Sequence, residues 1–454
     1  MRRKAEVVNA APAVPAVPPW GGFFLGATIN QPPKPLFAGP QQALLVLGPP
    51  RSGKTTSVVV PNLLTAPGAV VTTSTKMDVL MWSAKVRSLR GRTWLFDPSG
   101  TVDRQWLTPL RWSPVIGCER WEVAVGRAHA LASAAQPGRG LGGPDHWTER
   151  AEALLGPLLH AAALGGKTMA SVLRWVQRRD VQEALELAAS SNGHDVAADS
   201  IEGIMETEER ERSGIFSTAA NILAAYRLPA ALQSASEPNF DPDAFVRSSD
   251  TVYICFPASE QEQLAPLVVA FLETVRRATY SREPGWPPVS FVLDEVANIA
   301  PLPGLPALVS EGGSQGLVTL ACLQDLSQAR ARWGAAAEGF LTLFGVKLVL
   351  PGIADLRTLQ LVSALAGDHN VAMQSVTRTG NAAMVLLGGT ASTSSTTYYQ
   401  RQAVWPVDHV ARIAHGTALA MWPATAPVQI GLVPMWQEPW RAVIERAGAT
   451  ALQN

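Results

Sequence analysis

The stretch Gly48-Pro49-Pro50-Arg51-Ser52-Gly53-Lys54-Thr55 decides the fold, because it fits the pattern G-x-x-x-x-G-K-T completely. Glycines at both ends of the loop allow the backbone to pass close to phosphate groups and to direct several N–H groups towards them. An apolar run at 43–47 precedes the motif, and a helix-compatible run at 57–60 follows it. A strand, a glycine-rich loop and a helix in this order predict a phosphate-binding P-loop.

The P-loop motif also predicts individual roles. Lys54 is expected to reach the β- and γ-phosphates and to act in catalysis, and the Thr55 hydroxyl is expected to ligate Mg²⁺. The predicted nucleotide-binding residues are Gly48, Pro49, Pro50, Arg51, Ser52, Gly53, Lys54, Thr55 and Thr56. ATP and Mg²⁺ are the cofactors that this motif requires.

Two acids, Asp294 and Glu295, follow a second apolar run at 289–293, which predicts a buried strand. If that strand is a neighbour of the P-loop strand, its carboxyl end lies where Mg²⁺ binds. Asp294 is then expected to hold the metal through water, and Glu295 to orient and deprotonate the attacking water. An exposed acidic turn is the alternative interpretation.

A third apolar run, at 317–323, ends in Gln324. A polar side chain at this strand end can contact the γ-phosphate or the attacking water, which makes Gln324 a candidate catalytic residue. Strand ends are often polar, however, so a purely structural role for Gln324 is the alternative.

Strands and helices alternate on both sides of a long helical segment, which predicts one interrupted α/β domain. The runs at 43–47, 68–73 and 93–96 read as strands separated by helical stretches, and strand character returns at 251–256. The predicted divisions are a Pro/Gly-rich tail at 1–40, an α/β first part at 41–117, an all-α insertion at 118–236, an α/β second part at 237–436 and a C-terminal tail at 437–454. A stretch rich in Gly, Ser and Thr at 380–397 predicts a mobile loop.

The overall composition excludes several classes of protein. The 37 basic and 37 acidic residues cancel, so any nucleic-acid site must be a local patch or must arise by assembly. The three cysteines are far apart and form no CxxC, which argues against a disulfide framework or a zinc cluster. The sequence contains no run of about 20 apolar residues, and the Pro-rich start does not resemble a signal peptide. A cytoplasmic location is therefore expected.

Taken together, the motifs resemble those of the VirD4/TraG/TraD group, the coupling ATPases of type IV secretion and conjugation. The resemblance covers most of 41–436, and Leu-Asp-Glu-x-Ala-Asn followed by Leu-Gln-x-Leu-Ser-Gln is its most specific part. The segments that carry it are 48–55, 72–78, 96–98, 293–299, 323–328 and 345–350 followed by Asp355.

The resemblance implies a RecA-like motor domain that assembles as a homo-hexameric ring, with nucleotide between the subunits. It implies that single-stranded DNA, or a relaxase–DNA complex, passes through the centre towards the channel components of a type IV secretion system. The all-α insertion would meet the cargo on the cytoplasmic side, with the protein recruited to the inner face of the cell membrane.

Two departures from the family pattern affect these expectations. Members usually carry an N-terminal membrane anchor, and this sequence shows none. Either the protein is soluble, or a separate membrane-anchor protein is a partner, or the anchor residues were lost. Many members also have an arginine before the strand of Gln324 that serves the neighbouring subunit, but Glu311-Gly312-Gly313-Ser314-Gln315-Gly316 contains no basic residue. The candidate substitutes are Arg330, Arg332, Lys347 and Arg357, with a slight preference for Lys347.

Three functions remain open at the level of sequence. The first is an ATPase that translocates DNA, and the second is an ATPase of the same superfamily that exports protein. The third is a nucleotide-gated recruitment scaffold with negligible hydrolysis. The intact set of Lys54, Thr55, Asp294, Glu295 and Gln324 argues against the scaffold, because a scaffold needs no catalytic base.

Overall fold

The structure is a computed structural model that describes residues 22–102, 106–135, 146–190, 196–283, 285–379 and 392–448. Its strands are β1 Phe24–Ala27, β2 Pro35–Phe37, β3 Leu44–Leu47, β4 Val70–Ser74, β5 Thr93–Phe96, β6 Thr108–Pro109, β7 Thr251–Cys255, β8 Val289–Leu293, β9 Leu317–Leu323, β10 Val346–Val349, β11 Asp368–Thr379, β12 Ser392–Ala403, β13 Thr417–Met421 and β14 Val428–Gly431.

The helices begin with a π-helical turn, Lys54–Val59, that continues directly into the first α-helix. The α-helices are α1 Val60–Thr65, α2 Asp78–Ser88, α3 Trp121–Ala134, α4 His146–Leu164, α5 Met169–Arg178, α6 Gln182–Ala189, α7 Val196–Met205, α8 Glu209–Ile222, α9 Pro229–Ser234, α10 Pro242–Phe245, α11 Gln261–Thr279, α12 Val296–Ile299, α13 Leu305–Glu311, α14 Leu326–Trp333, α15 Phe340–Leu343, α16 Leu356–Ala366, α17 Val407–Ala411 and α18 Trp440–Arg446.

Twelve strands form one sheet in the order β2-β1-β14-β13-β10-β3-β9-β8-β4-β7-β5-β6. The eight strands from β10 to β6 pair in parallel, and the four at the other end pair antiparallel. Apolar side chains cover both faces: Val70 and Val292 point to the side of α1 and α2, whereas Val71 and Leu293 point to the side of α11. The predicted RecA-like α/β fold with a mostly parallel sheet is confirmed.

The long helical segment lies between β6 and β7, where helices α3 to α10 occupy the described residues from Trp121 to Phe245. The division of the chain at 118 and 236 stays a proposal. Within this helical segment, α7 and α8 are separate helices. The Arg212 guanidinium donates to the carbonyls of Met205 and Thr207, which terminates α7 and separates it from α8.

The prediction of a tail at 1–40 is wrong for residues 24–37, which form β1 and β2 at the end of the main sheet. One side chain explains the difference. The buried Asn62 accepts from the Phe24 N–H at 2.7 Å and donates to the Phe24 carbonyl at 2.9 Å, so α1 holds β1 in place. Residues 1–21 of the predicted tail lie outside the described residues.

The prediction of a C-terminal tail at 437–454 is wrong for Trp440–Arg446, which is helix α18. The Trp440 side chain is fully buried and contacts the Phe24 ring edge-on, with the ring centroids 5.0 Å apart. This apolar contact links two distant parts of the sequence, so no local pattern predicts it. Residues 449–454 lie outside the described residues.

Strands β11 and β12 pair with each other rather than with the main sheet, in a register that runs from Asp368↔Ala403 to Thr379↔Ser392. The mobile loop predicted at 380–397 is therefore wrong for 392–397, while 380–391 lie outside the described residues. Among the described residues, no helix is both long and apolar enough to cross a membrane.

Candidate functional site

The phosphate-binding loop leaves the carboxyl end of β3, whose four residues are completely buried near the middle of the sheet. A side chain at Gly48 would place its Cβ 2.5 Å from the Ser52 Oγ, and Gly53 has φ 98°, so glycine is required at both ends of the loop. The Lys54 Nζ donates to the Gly48 carbonyl, and to the Pro49 carbonyl at 2.9 Å. The loop thus curves around the Lys54 ammonium group.

Asp294 lies directly beside the P-loop threonine. The Thr55 Oγ1 donates to the Asp294 Oδ2 at 3.0 Å, and the Thr73 Oγ1 donates to the Asp294 backbone carbonyl at 2.8 Å. Burial raises the pKa of the Asp294 carboxyl group, while the Thr55 hydrogen bond and the Lys54 charge act in the opposite direction. Residues 239 positions apart in the sequence therefore form the predicted metal-binding pair.

The donor set fits Mg²⁺ bound together with a nucleotide. Magnesium is usually held by one or two protein oxygens plus phosphates and water. The Thr55 hydroxyl and the Asp294 carboxylate supply two such oxygens. No group of three or more His, Cys, Asp or Glu side chains in the described residues could hold a metal by itself.

Glu295 follows in a left-handed backbone conformation, with φ 53° and ψ 46°. This conformation is uncommon for a residue with a side chain and stores strain, which is often found at functional sites. The half-buried Glu295 side chain lines the same cavity as Lys54 and Asp294. The structure thus brings the predicted base to the predicted phosphate and metal positions.

Gln324 also lines this cavity, because β9 lies between β3 and β8 in the sheet. The strand of Asp294 is not directly next to the P-loop strand, because β9 lies between them and carries Gln324 at the same edge of the sheet. The Gln324 N–H donates to the Gln328 Oε1 at 2.9 Å, which fixes the turn after β9.

The cavity has a volume of about 680 Å³, and part of its wall was missed by sequence reasoning. The wall also contains His415, Leu432, Pro434 and Trp436, which is 57% exposed. They adjoin β13 and β14, on the other side of β3 from the strand of Asp294. The Met435 N–H donates to the Thr56 carbonyl at 2.9 Å, which brings this segment to the P-loop. The sequence around β14 contains no motif that would have indicated this contact.

Ser74, Thr75 and Lys76 line the cavity as well. In the sequence, this segment contributed to the family resemblance, but none of its residues was predicted to belong to the nucleotide site. Lys76 is exposed, and its backbone N–H donates to the Ser74 Oγ at 3.2 Å. It adds a second ammonium group near the predicted phosphate site.

The four candidate substitutes for the missing arginine differ in accessibility. Lys347 is 7% exposed on β10 and burial lowers its pKa, so it has little surface from which to reach another subunit. Arg330 pairs with Asp355 at 2.9 Å, and the Arg332 Nε donates to the Ala297 carbonyl. Arg357 is the exposed member of these four, with a side chain that is 58% accessible to solvent. The geometry therefore does not support the preference for Lys347.

The model of the family described as "Type IV secretory system Conjugative DNA transfer" matches residues 19–433. The chain belongs to this family. The resemblance identified from its motifs is thereby confirmed, and the P-loop, the acid pair and Gln324 all lie within the part matched by the conjugative DNA transfer family.

Two conjugal transfer proteins TraG of Escherichia coli are 25% identical to this family member over 383 residues. The matches cover 77% and 78% of the chain, which spans 59% of the length of each relative.

Solved structures show the same fold. The bacterial conjugative coupling protein TrwBdeltaN70, in its unbound form, has a TM-score of 0.66 and 19% identity, and the match covers 90% of this chain and 88% of that one. The plasmid coupling protein TrwB in complex with ADP and Mg²⁺ has a TM-score of 0.61 and 17% identity, covering 87% and 86%.

Proposed function

We propose that this chain is an ATP-hydrolysing coupling protein that recruits single-stranded DNA, or a relaxase–DNA complex, and moves it into a type IV secretion channel. The observation that carries the proposal is the 3.0 Å contact between Thr55 and Asp294, with Lys54 and Glu295 in the same cavity, in a member of the conjugative DNA transfer family. Binding of ADP and Mg²⁺ by the TrwB relative supports the choice of cofactors.

The cavity accommodates the two ends of a nucleotide at opposite sides. The backbone of the P-loop and the Lys54 ammonium group bind the phosphates at one side. At the other side, the exposed Trp436 indole and the His415 ring provide flat surfaces on which a purine base can stack. Mg²⁺, when bound, neutralises charge on the phosphates.

Hydrolysis depends on groups at the carboxyl ends of β8 and β9. Glu295 accepts the proton of the attacking water, and its rigid left-handed backbone fixes the direction of its side chain. Gln324 lies beside it and orients the same water or the γ-phosphate. The presence of a base at this position favours hydrolysis over a scaffold role.

We further propose that six copies assemble into a ring, because nucleotide sites of RecA-like motors are completed by a neighbouring subunit. The ring is proposed to lie at the inner face of the cell membrane, in contact with channel components and with a separate anchor protein. The net charge of zero predicts weak DNA binding by single subunits and stronger binding on assembly.

The ATPase rate, measured with and without a single-stranded oligonucleotide at several protein concentrations, tests this proposal. A rate that increases with DNA and with protein concentration is expected, and Lys54→Ala should abolish it. Lys34→Ala, which removes an exposed lysine remote from the cavity, is the matched control. A measurable ATPase rate that does not change on addition of DNA would favour protein export. Absence of ATP turnover by the wild type would favour a scaffold.

A further inference from the structure

A second cavity of about 680 Å³ lies where the helical insertion meets the sheet domain, between α3, α10 and the end of α11. Helix α11 begins after the carboxyl end of β7 and ends before the start of β8. Its last turn therefore lies at the edge of the sheet opposite the nucleotide cavity. Four arginines line this second cavity: Arg120, Arg127, Arg276 and Arg277.

Arg127 is a buried cation that contacts no carboxylate in the described part of the chain. Its side chain is 6% exposed, its Nη1 donates to the Ala270 carbonyl at 2.9 Å, and its guanidinium group lies 4.9 Å from the Trp112 ring centre. The Arg127 Nε is buried without a hydrogen-bond partner. A buried charge in this condition is destabilising unless an anion compensates it.

Arg277 adds a second guanidinium group that forms no ion pair among the described residues, although the charge of the exposed Glu122 acts on it. Its Nη1 donates to the Glu122 carbonyl at 3.4 Å. A Cβ on Gly126 would lie 2.4 Å from the Arg277 Nη2, so the guanidinium group rests directly on the backbone of α3. Glycine inside a helix is unfavourable compared with alanine, and here its effect is to allow this close approach.

The other charges around the cavity do not neutralise this pair. Arg276 forms an ion pair with Glu273 at 2.7 Å, and Arg120 forms an ion pair with Glu122. Asp243 is the one carboxylate in the described wall, where it accepts from the Ser281 Oγ at 2.8 Å and forms no ion pair with Arg127 or Arg277. Two guanidinium groups therefore remain available to an oxyanion.

Phosphate is the oxyanion that this wall suits best, since guanidinium forks match its geometry. Tyr280 lies in the same wall with its ring 47% exposed, and Arg276 lies 5.5 Å from that ring centre. Exposed aromatic rings next to arginines are typical of sites where single-stranded nucleic acid stacks its bases. The aromatic surface favours a phosphate that carries a base over an isolated phosphate ion.

We propose that this arginine cavity holds a backbone phosphate of single-stranded DNA at the junction between the helical insertion and the sheet, opposite the nucleotide site. The proposal rests on the DNA-transfer function proposed above. It places a DNA contact on residues of α3 and of the last turn of α11.

The test is the affinity of the full chain for a fluorescent single-stranded oligonucleotide, measured by anisotropy over a range of salt concentrations. Arg277→Ala should weaken binding about tenfold and should reduce the salt slope by about 0.7, the value for one lost phosphate contact. Arg178→Ala, which removes an exposed arginine elsewhere in the insertion, is the matched control and should change neither.

A second pair of variants tests the same contact without removing a charge. Gly126→Ala should displace the Arg277 guanidinium group and weaken DNA binding to a similar degree, because the atoms it meets are at the end of a flexible side chain. Gly203→Ala is the control, since a Cβ there meets no atom within 4 Å. The ATPase rate without DNA should be unchanged in all four variants.

The outcomes separate this proposal from the proposed function. Wild-type DNA binding that Arg277→Ala and Gly126→Ala leave unchanged would overturn the arginine cavity and leave the DNA-transfer function intact. A wild type that does not bind the oligonucleotide would contradict both. Arg277-dependent binding of a poly-glutamate peptide, or of inorganic phosphate, without such dependence for DNA would replace DNA by that ligand.

Discussion

Two adjacent residues at the end of β8 carry a desolvated carboxyl group and a strained backbone. Asp294 is 7% exposed with a raised pKa, and Glu295 has a left-handed backbone. Neither property stabilises the fold, so both indicate selection for function rather than for stability. The two acids share a peptide bond but differ in contacts, since Asp294 accepts from Thr55 while Glu295 faces the cavity.

This difference predicts two distinct mutant phenotypes. Glu295→Gln should retain nucleotide binding and reduce hydrolysis by about 10² to 10⁴, the usual contribution of a general base. Asp294→Asn should weaken nucleotide binding only when Mg²⁺ is present. Binding of a fluorescent ATP analogue, with and without Mg²⁺, and steady-state turnover measure the two effects. Wild-type turnover by Glu295→Gln would place the base elsewhere.

Arg87 is a buried charge whose role is structural. Its Nε donates to Thr251, and its remaining N–H groups donate to the carbonyls of Ala66, Gly68 and Ser249. Burial lowers the pKa of Arg87 to about 10, so the side chain is charged at neutral pH.

Replacing Arg87 should therefore destabilise the sheet domain. Arg87→Met leaves the carbonyl groups of Gly68 and Ser249 without this donor, whereas Ala66 keeps a hydrogen bond from Arg90, and the free energy of unfolding should fall by about 3 to 5 kcal/mol. Arg178→Met, at an exposed position, should change it by less than about 0.5 kcal/mol. Urea unfolding followed by tryptophan fluorescence compares the two variants, and equal midpoints would contradict the assignment.

At the scale of elements, the parallel strands were predicted well because each is a short, fully apolar run between turn signals. The predicted bounds 93–96, 289–293 and 317–323 agree with β5, β8 and β9 residue for residue. Strands buried on both faces have this composition whatever their neighbours are. The P-loop and the acid pair could be placed for the same reason, since they follow such strands.

The elements that were missed depend on partners distant in sequence. Strands β1 and β2 are held by Asn62 and by pairing with β14, and helix α18 is held by Phe24. The part of the nucleotide-cavity wall that contains Trp436 was missed for the same reason, because the hydrogen bond from Met435 to Thr56 positions it. Local patterns carry no information about such contacts.

Replacing Trp436 and Trp440, the two tryptophans near the C-terminus, by alanine should therefore have different effects. Trp440→Ala removes a fully buried ring from the cluster around Phe24 and should reduce the free energy of unfolding by about 3 to 5 kcal/mol. Trp436→Ala removes an exposed ring and should leave stability within about 0.5 kcal/mol while weakening nucleotide binding. Thermal unfolding and a nucleotide titration of both variants distinguish the two roles, and the reverse pattern would refute them.

At the scale of the whole molecule, the sheet separates two regions of different chemistry. The nucleotide cavity lies at the carboxyl edge of the parallel strands, and the arginine cavity lies at the edge where those strands begin. Helix α11 runs from one edge to the other and packs against α3 of the insertion. A single helix thus runs from the sheet edge that carries the proposed hydrolysis site to the edge that carries the proposed DNA contact.

In the proposed ring, a neighbouring subunit would supply a cation to each nucleotide site. Arg357 lies next to the N-terminus of α16, which follows β10 at the carboxyl edge, the same edge as the nucleotide cavity. Its side chain is 58% exposed and, among the residues that the structure describes, forms an ion pair only with Glu338, at 2.6 Å and near the surface, where ion pairs are weak. Exposure, position and a weak partner make Arg357 better suited than Lys347 to act on the next subunit.

Arg357→Ala should therefore reduce the turnover of the assembled protein by about 10³ or more, the usual contribution of such a cation, without weakening nucleotide binding by single subunits. Mixing Arg357→Ala subunits with Glu295→Gln subunits should restore part of the activity, because some interfaces in a mixed ring combine an intact base with an intact Arg357. Arg178→Ala subunits, mixed in the same ratios, control for the loss of charge. Full activity of Arg357→Ala alone, or no recovery in the mixture at any ratio, would exclude Arg357 as the cation that acts between subunits.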